Sequence, residues 1–192
     1  MVKIIYKEGL EGQNRIECIE GIEIDLLNGQ KALVYPKYKN AELVEDGEED
    51  KWTAESVNEI EALKQMDNNW ATGALLKIGS PAAKHVSQFS SDGHGLFGVP
   101  TLLAALEVMD QKKDIDALAE TIEGADLLED FSACVWSCSR YNSFSGWVAN
   151  GGAGFAGSNG ILCYRCAAVP LVLLSNTKNR KEEYQCAIQE KD

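Results

Sequence analysis

The sequence predicts a mixed α/β (α+β) domain in which strands at both ends of the chain enclose a helical middle. Three observations predict it. The first 45 residues alternate polar and apolar side chains, residues 53–123 place apolar groups at helical spacing, and residues 131–174 return to short apolar and Gly/Ser/Asn-rich stretches.

The elements follow in order. Lys3-Ile4-Ile5-Tyr6 is a short strand. Arg15 to Asp25 alternates polar residues with Ile16, Cys18, Ile22 and Ile24, a half-buried strand with an irregularity near Ile19 to Gly21. Asn28-Gly29 is a turn signal, and Lys31 to Tyr38 forms the next strand. Val44 to Asp50 is acidic and reads as a solvated connection. Thr53 or Ser56 starts a helix carrying Val57, Ile60 and Leu63. A second helix begins at Pro81 and ends near Ser90, followed by the loop Ser91-Asp92-Gly93-His94-Gly95. Pro100 sits at a helix start, where its missing N–H costs nothing, ahead of the stripe Leu102, Leu103, Leu106 and Met109. Asp114 caps a further helix with Ile115, Leu118 and Ile122 inward, and Gly124 stops it. The helices are expected near 55–67, 81–89, 100–110 and 114–123. Phe131 to Trp136 reads as a strand and Ala167 to Leu174 as a last apolar one. In the charged tail Tyr184, Cys186 and Ile188 alternate as an edge strand would.

Composition narrows the function. A chain of 192 residues can bury a real core, and its net charge of −12 argues against nucleic-acid and anionic-membrane partners, which need clustered Lys and Arg. Lys7 and Glu8 end the apolar run after Ile4-Ile5-Tyr6, so no signal peptide is visible, and no stretch approaches a membrane span of about 18 apolar residues. The chain is expected to be made in the cytoplasm, with its six cysteines reduced. Cys134-x3-Cys138 with Cys163-x2-Cys166 superficially matches a four-thiolate zinc site, but its apolar flanks fit strand positions instead. The organisation expected is a β segment over 1–45 that packs on or extends the main domain, a domain over 46–176, and a charged tail over 177–192.

Catalysis needs a constellation of groups. The two histidines, His85 on a helix and His94 between glycines, stand in settings that suit structural and turn roles. No nucleophile elbow, zinc-protease, phosphate-loop or dinucleotide motif occurs in its required setting, and no EF-hand calcium loop does. No cofactor, metal or enzymatic activity is expected.

Ser137 to Arg165 is the informative window. Its 29 residues contain no Lys, Glu, Gln, Met or Asp, and carry +2 in a chain of net charge −12. Tyr141, Phe144, Trp147, Phe155 and Tyr164 stand among Ser, Gly and Asn. That mixture is paratope-like: aromatics give contact area at low entropic cost, and small polar residues give adaptable hydrogen bonds. The other reading is a long, turn-rich β segment with core aromatics. Apart from Trp147, every residue in the window has a codon ending in a pyrimidine, as randomised Asn-type codons would.

Trp136-Ser137-Cys138-Ser139-Arg140-Tyr141-Asn142-Ser143, then Gly146-Trp147-Val148, Asn150-Gly151-Gly152 and Arg165 to Pro170, resemble the C-terminal variable region of proteins diversified by diversity-generating retroelements. Upstream, Ala82-Ala83, Phe97, Val99-Pro100-Thr101, Leu103 and Leu106 are similar to the approach helix of that family. Cys138 departs from its usual Ser, Gly146 from its usual Ala, and Ala167-Ala168-Val169-Pro170 from its R-P-V. The resemblance covers about residues 70–175. It implies a C-type-lectin-like fold with a small, strongly twisted antiparallel sheet flanked by helices, and Trp136, Trp147, Val169 and Leu171 buried. It also implies a non-enzymatic receptor-recognition protein, often phage-encoded, displayed on a virion or another surface and binding a protein or other surface ligand of a host or target cell. The calcium tripeptides of sugar-binding lectins are absent, so the fold implies neither carbohydrate nor calcium. The ligand contacts it implies are Cys138, Arg140, Asn142, Phe144, Ser145, Ala149, Asn150, Ala153, Phe155, Ala156, Ser158, Asn159, Ile161, Leu162 and Tyr164. Phe144, Phe155, Tyr164 and Arg140 would be the anchors. Two alternatives share the broad fold: an enzyme of the formylglycine-generating type using Cys163 and Cys166, and a structural virion protein.

Overall fold

The computed structural model describes residues 2–131, 134–151 and 155–174, the side chain of Phe155 excepted. The N-terminal part holds β1 (Lys3–Tyr6), β2 (Ile19–Asp25), β3 (Lys31–Val34) and β4 (Lys39–Asn40). Three helices follow: α1 (Glu59–Lys64), α2 (Asn69–Lys77) and α3 (Pro81–Val86). A small hairpin of β5 (Ser90–Ser91) and β6 (Gly95–Leu96) leads to α4 (Leu102–Asp110) and α5 (Lys112–Ala119). The C-terminal part holds β7 (Cys134–Asn142), β8 (Ser145–Asn150), β9 (Phe155–Gly160), β10 (Ala167–Ala168) and β11 (Leu171–Leu174).

The strands form two main sheets, ordered β1-β2-β3-β11 and β4-β10-β7-β8-β9. All pairings are antiparallel except β10 with β7, where Ala167 pairs with Val135 in parallel. The mixed α/β architecture is as expected, with the strands outside the β5–β6 hairpin divided between two sheets. Among the described residues, no helix is long and apolar enough to cross a membrane.

Local chemistry explains the elements. The irregularity near Gly21 is a bulge: Ile5 pairs with Gly21 and Tyr6 with Ile19, leaving Glu20 extra. Gly21 has φ +153°, and a Cβ there would stand 2.9 Å from the Val34 carbonyl oxygen, so a larger residue does not fit. Asn28-Gly29 turns β2 into β3, with Asp25 opposite Lys31. β3 ends at Val34, earlier than expected: Tyr35 N–H still donates to the Pro170 carbonyl (3.0 Å), the next rung toward β11, but Pro170 has no N–H to continue the ladder and Pro36 follows.

The helix starts differ from the reading in instructive ways. α1 is capped by Asn58, in a reciprocal box with Glu61, and not by Thr53 or Ser56. α3 begins at Pro81 as expected, and Ser80 caps it. Thr101 caps α4, so Pro100 lies before the helix and its carbonyl accepts from Cys138 N–H (2.8 Å). α5 begins at Lys112, placing Asp114 in the first turn, where its charge favours the helix dipole. α2 was not anticipated. It carries Gly73 and buries only Ala71, Thr72 and Leu75, too few for a clear helical stripe.

Two cores result. One packs Ile22, Ile24, Val34 and Leu171 of the first sheet against Ala104, Ala105 and Val108 of α4 and Ile115 of α5. The other surrounds Trp136 with Leu43, Trp52, Leu75, Val86, Val99 and Val148. Trp136, Trp147, Val169 and Leu171 are all buried, as the resemblance implies. The Trp136 indole N–H donates to the Ala41 carbonyl (2.7 Å), and the Trp147 indole N–H to the Val57 carbonyl (2.9 Å). Tyr184, Cys186 and Ile188 lie outside the described residues.

Gly146 lies under this core. A Cβ there would stand 2.7 Å from Leu43 Cδ2 and 3.3 Å from the Trp136 ring, and Leu43 is itself fully buried. The glycine is a packing requirement of this chain. Gly146→Val is expected to cost about 2 kcal/mol or more by overpacking, read as a lower denaturation midpoint at unchanged slope.

Candidate ligand-binding face

The window from Ser137 to Arg165 spans most of β7, all of β8 and β9, and the loop that leads to β10. A strand's side chains alternate between two faces, so an exposed face was expected to carry the contacts. The structure covers both faces of the two central strands. Every side chain from Val135 to Ser139, and from Gly146 to Ala149, is buried. One side packs on α4, α1 and Val57; the other packs on the chain between Ala41 and Trp52 and on α2 and α3.

This corrects three of the expected contacts. Cys138, Ala149 and Ile161 are buried, Ala149 completely, so none presents its side chain on the outer face, and Cys138 reaches only the wall of a cleft beside that face. Burial pushes the Cys138 thiol up to about 12. Ala153 and the Phe155 side chain lie outside the described residues. Arg140, expected as an anchor, is half-buried and holds the scaffold together. Its Nη1 donates to the carbonyls of Trp52 and Ala54, its Nε donates to the Asn142 carbonyl (3.0 Å), and its guanidinium lies over the Trp52 ring. The Arg140 carbonyl accepts from Val57 N–H (3.0 Å), so the segment 52–57 is laced along β7.

What remains outside sits at the β7–β8 tip, along the edge strand β9 and in the loop after it. Asn142, Phe144, Ser158, Leu162 and Tyr164 are exposed, and Ser145, Asn150, Ala156 and Asn159 are half-buried. Phe144 stands at the tip of the β7–β8 hairpin, 75% exposed, and Tyr164 is 60% exposed. Asn142 shapes the tip by accepting from Phe144 N–H (2.9 Å), an Asx turn. The Phe144 carbonyl in turn accepts from Ile161 N–H (3.0 Å), which ties the hairpin tip to the loop bearing Leu162 and Tyr164. Tyr141 meets the buried Trp147 edge to face at 5.0 Å, so the tip rests on an ordered aromatic pair.

The sequence reading missed a cleft of about 730 Å³ beside this face. Trp52, Trp70, Ala71 and Ile78 give it apolar walls, and Gln65, Ser139 and Arg140 place polar groups in it. Ser139 Oγ donates to Gln65 Oε1. Its size and few convergent polar groups suit a small molecule or one inserted side chain. Trp70 stands 72% exposed. The only sequence signal for this cleft was a pair of tryptophans, Trp52 and Trp70, in otherwise polar stretches.

The remaining chemistry-bearing groups lie apart. His85 Nε2 meets the Lys37 carbonyl at 2.9 Å, and burial lowers its pKa. His94 is exposed on the β5–β6 turn. Cys166 contacts Cys134, and Cys163 packs at the margin of the Trp136 core. Among the described residues, no three His, Cys, Asp or Glu side chains gather as a metal site. No family model, curated protein or solved structure matches the chain significantly.

Native protein treated with iodoacetamide at pH 8 should leave Cys138 unmodified, and unfolding in denaturant should release it. Peptide mass mapping reads both states. Modification of Cys138 in the native protein at the rate of an exposed thiol would show that β7 has an open face after all.

Proposed function

We propose that this chain is a non-enzymatic recognition protein with a C-type-lectin-like fold. Its residues 137–165 are the product of a diversity-generating retroelement, and they bind a protein or other ligand on the surface of a host or target cell. Display on a phage virion or another surface accords with that role.

The observation that carries this reading is the position of Phe144. It is a large apolar side chain, 75% exposed, at the tip of a hairpin whose two strands are packed on both faces over 135–139 and 146–149. A single exposed apolar side chain is ordinary, but several gathered on one ordered mount mark an interface. Leu162 and Tyr164 share the neighbourhood, and Ser and Asn surround them. Among the described side chains the contacts narrow to Asn142, Phe144, Ser145, Asn150, Ala156, Ser158, Asn159, Leu162 and Tyr164, with Phe144 and Tyr164 as anchors; Ala153 and the anchor Phe155 stay in the proposal as the resemblance implies them. Such positions can change without unfolding the protein, which is what diversification requires.

Two measurements test the reading. Sequencing the DNA beside the gene should show a reverse-transcriptase gene and a near-repeat of the segment coding 136–165, differing mainly at adenines. Its absence would remove the retroelement from the proposal. Phe144→Ala and Tyr164→Ala should each weaken binding to intact host cells by about 2 kcal/mol and leave thermal melting nearly unchanged. Trp147→Ala should instead cost roughly 3–5 kcal/mol of stability. Unfolding by either tip substitution, with Trp147→Ala harmless, would reverse the assignment of inside and outside.

A further inference from the structure

Residues 135–165 are bracketed by two cysteines. Cys134 opens β7 and Cys166 immediately precedes β10, and the parallel pairing of Val135 with Ala167 sets them side by side on neighbouring strands. Their Sγ atoms are 2.7 Å apart. Two thiolates on one zinc, each about 2.3 Å from the metal, would stand nearly 4 Å apart, and no third metal-binding side chain joins them among the described residues. Asn159 Nδ2 lies 3.1 Å from the Cys166 sulfur and 3.9 Å from that of Cys134. The pair is therefore close, positioned by a backbone ladder, and faced by the Asn159 amide.

We propose that Cys134 and Cys166 are a site of reversible oxidation, whose disulfide closes the 135–165 segment at its base. The oxidant is a low-molecular-weight disulfide such as oxidised glutathione. Cys134 is the half-exposed member and Cys166 is buried. The Cys166 thiol also keeps its proton, held by the hydrogen bond with Cys134 and by burial. Attack therefore begins from the Cys134 thiolate. It breaks the glutathione disulfide, releases one glutathione thiolate that takes up a proton, and leaves a mixed disulfide on Cys134. With its partner thiol consumed, Cys166 gives its proton to solvent and attacks the Cys134 sulfur. The Cys134–Cys166 bond forms and the second glutathione departs, so two electrons pass from the protein to glutathione. The proposal concerns the thiols alone and holds whatever the segment binds.

The full chain is incubated with oxidised glutathione or with dithiothreitol, unfolded in N-ethylmaleimide, and mapped by mass spectrometry without further reduction. Oxidation should remove two alkylation sites, lower the mass of the unalkylated protein by about 2 Da, and join the Cys134 peptide to the Cys166 peptide. Dithiothreitol should reverse all three changes. Because the closed loop is long, the oxidised protein should melt roughly 10 °C above the reduced one. Cys163→Ala should keep the link, and Cys134→Ser should abolish the redox dependence of melting. If Cys134→Ser fails to fold, mapping of the unsubstituted chain and of Cys163→Ala decides. Full alkylation of both residues after oxidation, a glutathione adduct on Cys134 that never resolves, or a bond from Cys166 to any other cysteine would overturn the proposal.

Discussion

The Trp136 indole is the constraint around which the second sheet is arranged. It is completely buried near the start of β7, and an indole N–H buried without a partner would be costly. The Ala41 carbonyl supplies that partner at 2.7 Å. The bond draws the chain leaving β4 across the face of β7, and Leu43 and Trp52 follow it into the same core. Gly146 on the adjacent strand must then stay small, because Leu43 and the indole occupy the space where its Cβ would be. Arg140 continues the lacing one step further along β7, through the carbonyls of Trp52 and Ala54. One buried donor thus organises a segment about 95 residues away in sequence.

This lacing separates the jobs of the segment's residues. Along β7 and β8 the side chains pack on both faces, so substitutions there act on stability. At the hairpin tip and in the loop after β9 the side chains meet water, so substitutions there act on recognition. The Ile161 N–H bond to the Phe144 carbonyl lies on the boundary, with Ile161 inside and Phe144 outside. A mount that is stiff up to its last residues presents its aromatics with little conformational freedom to lose on binding.

Much of the fold was legible because period and punctuation are local properties. The β2 irregularity at Gly21, the Asn28-Gly29 turn, the Pro81 helix start and the inward tryptophans were all written in short stretches of sequence. The misplacements have a common physical cause. Alternation shows that a strand has two faces, but does not say how many are covered, so Cys138 and Ala149 read as free when α2 packs over the one and α4 over the other. Trp52 hid in an acidic loop because its burial depends on a partner strand far along the chain. α2 hid because three buried residues do not make a helical stripe. Ala167 to Leu174 read as one strand, but Pro170 ends the first ladder and the chain passes into the other sheet.

That passage between sheets has a consequence for synthesis from the N-terminus. β3 lacks its outer neighbour until Leu171 to Leu174 arrive, and β4 is joined to β7 only through Ala167 and Ala168. Neither sheet can be completed on the ribosome before these six residues emerge. Until then β2 and β3 present an apolar hairpin with an open edge, the kind of surface that pairs with other chains. Closure joins residues far apart in sequence, so it carries a large loop entropy and is slow by topology. The acidic stretch from Glu45 to Asp50 is already translated by then, and its charge works against association of nascent chains.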